Sequence, residues 1–95
     1  MLLGKTIEEY EVEMELRGLP GYMVPAVFNY LENRKVPGGF LSAVISNDLH
    51  GAISNADDQN RRVIRSWLKL LYNEFPGNAW GSKEKLTLWL EGGSE

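Results

Sequence analysis

The feature that most limits what this chain can fold into is the placing of its helix breakers. Glycine and proline cluster at Gly18-Leu19-Pro20-Gly21, Pro37-Gly38-Gly39, Pro76-Gly77 and Gly92-Gly93, and the intervals they leave are of helix length. The first interval, TIEEYEVEMELRG, is ambiguous. Tyr10, Val12, Met14 and Leu16 alternate with glutamates as a strand would, while Ile7, Tyr10 and Met14 keep helical spacing. Two observations favour a helix: Thr6 followed by Glu9 is a capping-box pair, and no second alternating run exists for a strand to pair with.

The remaining intervals read more simply. PAVFNYLENRK sets Val27, Tyr30 and Leu31 on one face, with Pro25 in the first turn, where its missing N–H does no harm. A third helix is predicted from Gly39 to Asn55. A fourth runs from Asp57 or Asp58 to Phe75, with Asp57 as N-cap and Pro76-Gly77 as the stop. SKEKLTLWLE forms the last, capped by Ser82, with Leu86, Trp89 and Leu90 inward and Trp80 packing back on the body. The expectation is all-α: a compact bundle of four to five helices in one domain over residues 1–95, with an acidic N-terminal segment at 1–21 and a helical core at 22–91.

Composition narrows the function. Ninety-five residues, 43% of them apolar and three of them Trp, suffice for one modest core. No apolar run approaches the roughly 18 residues of a membrane span, and the start of the chain turns acidic too soon for a secretory signal. A cytoplasmic protein that does not engage membranes is expected. The absence of cysteine removes disulfides, thiol nucleophiles and thiolate metal sites; with His50 the single histidine, no metal and no cofactor is expected. His50 has no serine or carboxylate partner set by local spacing, and helix capping accounts for Asp57 and Asp58, so no enzyme is expected.

Two groups of residues stand out as candidates. Along the Gly39–Asn55 run, Asp48 and Asn55 share the sector of Leu41, Val44, Ile45 and Ala52 when each residue is stepped by about 100°. Asn60 and Glu74 likewise fall within the apolar arc of Val63, Ile64, Trp67, Leu70, Leu71 and Phe75. A buried carboxylate or amide without a partner costs on the order of 1 to 3 kcal/mol. Such groups therefore either form a structural network, in which Asp48 accepts from a backbone N–H, an Asn side chain or the Trp67 indole while Asn55 and Asn60 tie the corner between the helices, or line a pocket. In the pocket reading, Gly38, Gly39, Asn47, Asp48 and Asn60 hold a small anionic, nucleotide-like ligand near the start of the third helix.

The second group is cationic. Net charge is −3, which disfavours nucleic-acid binding and a DNA-binding regulator. The charge is unevenly spread, acidic in residues 1–33 and basic in 34–69. Arg61, Arg62, Arg65 and Lys69 fall on one side of the fourth helix, opposite its apolar face, with Tyr72 at the edge. Guanidinium forks suit carboxylates or phosphates on a partner. A solvated helix face is the plainer alternative.

The strings PGGFLSAVISNDL, ADDQN, LYNEFP and WGSKEKLTLWL, in that order and spacing, resemble a group of short phage and prophage proteins of unassigned function, over about Tyr22 to Leu90. The resemblance implies no catalytic or binding residues. It implies context: small phage accessory proteins often act by binding, for example as antagonists of host defence. The leading expectation is thus a host-protein antagonist that uses Arg61, Arg62, Arg65 and Lys69 or the acidic N-terminal segment. A sponge for a small anionic signal is the alternative, and homo-oligomerisation stays open.

Overall fold

The computed structural model describes residues 1–92, and Gly93 of the closing glycine pair lies outside them. All regular structure among the described residues is helical. In chain order the helices are α1 (Ile7–Leu16), α2 (Val24–Asn33), α3 (Gly39–Ile45), α4 (Leu49–Asn55), α5 (Asp58–Arg62), α6 (Ile64–Glu74) and α7 (Lys83–Leu90), with 3-10 turns at Gly21–Met23 and Gly77–Ala79. The expected helix count of four to five is too low because two long helices of the sequence reading are each broken once.

The first break explains Asn47 and Asp48. Asn47 takes a left-handed conformation, with φ 64°, which Asn tolerates better than most residues. Its N–H bonds to Val44 O at 3.2 Å, and the Asp48 N–H reaches back to Ala43 O at 2.8 Å. This is the Schellman closure of α3. Asp48 then starts α4: its Oδ1 accepts the Gly51 N–H at 3.0 Å. One dipeptide stops one helix and caps the next, and α3 packs closely on α4.

The second break falls at Val63, whose N–H bonds to Asn60 O at 3.2 Å, a tighter turn than the α ladder. Asp57 caps α5 as predicted, its Oδ1 taking the Asn60 N–H at 2.8 Å. The Tyr22 hydroxyl donates to the other oxygen of Asp57. That bond first, and then the Asn60 amide, hold the Asp57 carboxyl below the ordinary carboxylate range.

One core gathers apolar side chains from every helix but α5, with Tyr10, Met14, Val27, Tyr30, Leu31, Leu41, Ile45, Trp67, Leu70 and Leu71 fully enclosed. The acidic N-terminal segment belongs to it. Leu2 is buried, its N–H bonds to Glu74 O at 2.8 Å, and the Tyr10 hydroxyl donates to Glu32 Oε2 at 2.6 Å. Burial, with Glu32 beside it, pushes the Tyr10 phenol well above its usual range. α1 starts with the predicted capping box: Thr6 N–H donates to Glu9 Oε1 and Glu9 N–H to Thr6 Oγ1.

At the other end, Ser82 Oγ accepts the Lys85 N–H at 3.1 Å, the expected cap of α7. Trp89 is buried and its indole donates to Tyr30 O at 2.9 Å; Leu86 and Leu90 pack at the core margin. The Arg34 guanidinium lies over the Trp89 ring, 3.7 Å from its centre, and donates to Trp89 O at 2.9 Å. Cation–π contact and hydrogen bond together fix α7 to the end of α2.

Candidate protein-binding face

The expected core acid and amides separate into three situations. Asn60 is inside, 3% exposed, and its Oδ1 accepts the indole N–H of fully buried Trp67 at 2.9 Å. The Trp67 indole, expected as one donor to Asp48, thus bonds Asn60, whose expected role was to tie the corner between the third and fourth helices. Asp48 is a correction: it is exposed, because the helix on which it was counted as inward ends three residues earlier, at Ile45. Asn55 is exposed too, its side chain donating to Gly51 O at 2.8 Å. Glu74, half-buried, is satisfied by the amino terminus at 3.2 Å and by Arg17 at 2.9 Å. No buried side-chain nitrogen or oxygen among the described residues lacks a hydrogen-bond partner.

The residues of the anionic-ligand reading are not gathered into one hollow. Asn47 and Asp48 border a depression of about 230 Å³ lined otherwise by Ala43, Val44, Leu49, Ala52, Ile64 and Leu68, and neither Gly38, Gly39 nor Asn60 belongs to its lining. Gly38 is exposed at the N-cap of α3, while a side chain at Gly39 would come within 3.3 Å of Asn55 Oδ1. The close approach at Gly39 is thus to the protein's own α4.

The basic stripe is also divided, by the break at Val63. Arg61 and Arg62 end α5; Arg65 and Lys69 stand on α6. All four are exposed. Arg61 is engaged locally, donating to Ala56 O at 3.2 Å and lying 3.5 Å from Asp58 Oδ1. Arg62, Arg65 and Lys69 have neither a hydrogen bond nor an ion pair among the described residues. Arg17 and Arg34 differ: the first bridges Glu13 and Glu74, and the second is held on Trp89.

What the sequence did not bring out is the apolar surface beside these cations. Arg65, Leu68, Lys69, Tyr72 and Asn73 recur every three or four residues and so share one side of α6. With Trp80 they line a hollow of about 400 Å³. Leu68 is 48% and Tyr72 75% exposed, and the Tyr72 ring meets half-buried Trp80 edge-on at 6.5 Å. Leu68 also lines the neighbouring depression bordered by Leu49 and Asp48, so the two hollows adjoin. The signal was present: Leu68 lies outside the apolar arc of its own helix, between Arg65 and Lys69. A larger hollow, about 480 Å³, opens along the acidic side of α1.

Among the described residues no group of three or more His, Asp or Glu is placed to hold a metal ion, and no helix is long and apolar enough to cross a membrane. No protein-family model, curated protein or solved structure matches the chain.

Proposed function

We propose that this chain is a phage-encoded accessory protein that acts by binding, without chemistry of its own, and occupies a bacterial host protein such as a defence component in the host cytoplasm. The binding face is the outward side of α6, with Arg65 and Lys69 as its charges, Arg62 and Arg61 at its edge, and Leu68, Tyr72 and Trp80 as its apolar part. One observation carries this reading: cations without a partner among the described residues stand beside large apolar side chains that the fold leaves uncovered. Aromatic and arginine residues are the types on which interface energy concentrates, and partnered charge at such a contact favours specificity. The resemblance to short phage proteins supplies the biological setting.

The test is affinity capture from a bacterial lysate with the wild-type chain and with Arg62→Glu/Arg65→Glu/Lys69→Glu. Charge reversal should abolish capture of the specific partner while the far-ultraviolet circular dichroism and thermal unfolding stay as in wild type. Undiminished capture by the folded variant would remove this face from the account. Small molecules released on denaturing the captured material are analysed in parallel. A nucleotide lost on Gly39→Val, with protein capture intact, would favour sequestration instead.

A further inference from the structure

Two faces of the molecule match each other in spacing and oppose each other in charge. On α1, the side chains of Glu8, Glu11 and Glu15 have no hydrogen bond or ion pair among the described residues, unlike Glu9 in the capping box and Glu13 on Arg17. Val12 and Leu16, 55% and 75% exposed, stand among them. Positions 8, 11, 12, 15 and 16 follow the i, i+3, i+4, i+7, i+8 spacing of one helix side. On α6, positions 65, 68, 69, 72 and 73 repeat that spacing with the opposite charge, Arg65 standing in the place of Glu8 and Lys69 in that of Val12, while Leu68 and Tyr72 stand in those of Glu11 and Glu15. Each side extends about 12 Å along its helix. Each also borders a hollow, of about 480 Å³ on α1 and about 400 Å³ on α6. No ion pair joins the two sets within one chain among the described residues.

We infer that a second copy of this chain occupies the α6 face, seated by the Glu8, Glu11, Val12, Glu15 and Leu16 side of its α1. The glutamates oppose Arg65 and Lys69, Leu16 enters the hollow beside Tyr72 and Trp80, and Tyr72 enters the hollow beside Val12. The contact uses different surfaces on the two copies, so it is head-to-tail and leaves one α1 and one α6 face open at the ends of each assembly. Two helix sides of this length bury well under the roughly 800 Å² per partner of a stable complex, so association is weak and concentration-dependent. It is also electrostatic, so salt disperses it: the screening length falls from about 10 Å at about 0.1 M salt to about 3 Å at about 1 M. A host protein using the same face would compete with the second copy. The inference does not rest on that function, because it is read on the pure protein.

Sedimentation equilibrium of the full chain tests it, over about 10 μM to about 1 mM protein, in about 20 mM and about 500 mM NaCl. The average mass should rise with concentration in low salt and return toward the monomer in high salt. Arg65→Glu/Lys69→Glu and Glu8→Lys/Glu11→Lys/Glu15→Lys should each weaken self-association at least about tenfold, because like charges then meet at the contact. An equimolar mixture of the two variants should restore association, since every mixed contact again pairs acid with base. A wild-type chain that stays monomeric throughout in low salt, association indifferent to salt, or folded variants whose mixture stays dissociated would overturn the inference. If a variant does not fold, the wild-type comparison of the two salts decides alone.

Discussion

The two sides of α6 are built from the same eleven residues and differ in one respect, whether their groups have somewhere to go. On the inward side Trp67, Leu70 and Leu71 are enclosed, the one indole N–H is taken by Asn60, and Glu74 is held by Arg17 and the amino terminus. On the outward side Arg65, Leu68, Lys69 and Tyr72 are exposed, with no polar partner for either cation among the described residues. The difference teaches how to separate structure from candidate function in a small helical protein. Side chains that the fold needs are satisfied by it, and those it leaves unsatisfied are available to another molecule.

The inward side can be broken first, with the largest effect. Asn60→Leu leaves the Trp67 indole N–H buried without an acceptor and should destabilise by about 2 kcal/mol in urea unfolding. A loss below about 0.5 kcal/mol would mean that the bond does not fix this side of the helix.

The next effect concerns Asn47, at the corner that carries the outward hollow of Asp48 and Leu49. A branched side chain in the left-handed conformation is strained, so Asn47→Val should cost about 1.5 kcal/mol, whereas Asn47→Gly should be neutral or slightly stabilising. Equal melting temperatures for both variants would contradict the Schellman closure.

Smaller again is Arg17→Met. It removes a partly exposed ion-pair bridge from α1 to α6 and should cost about 1 kcal/mol, with less loss in high salt. Losses that are equal in low and high salt would show that the guanidinium contributes packing and not charge.

That corner also shows what was legible in the sequence and what was not. The helical class, the capping box at Thr6, Pro25 in the first turn of α2 and the caps at Asp57 and Ser82 were all legible, because each is decided by residues within one turn. The break at Asn47-Asp48 was missed. A constant angular step across residues 39–55 carried Asp48 onto the apolar face, although Asn followed by Asp is chemically suited to end one helix and start another. For Asn60 the wheel was right about burial but not about the partner, because the Trp67 indole was expected to serve Asp48. The apolar half of the candidate face was only partly legible. Leu68 and Tyr72 could be placed outside the core arc from sequence, but the approach of Trp80, from beyond Pro76-Gly77, depends on the tertiary fold.

The outward side should show the smallest effect on stability and the largest on binding, and that contrast is the central claim. The direct test is to measure, on one preparation of Arg65→Glu/Tyr72→Ser, both the unfolding free energy in urea and the capture of the proposed host partner from a bacterial lysate, beside the wild-type chain. Stability should stay within about 0.5 kcal/mol of wild type, as for other exposed sites, while capture is lost. A variant that keeps its stability and still captures the partner, or one that loses about 2 kcal/mol or more and unfolds, would contradict the division of α6 into a structural side and a binding side.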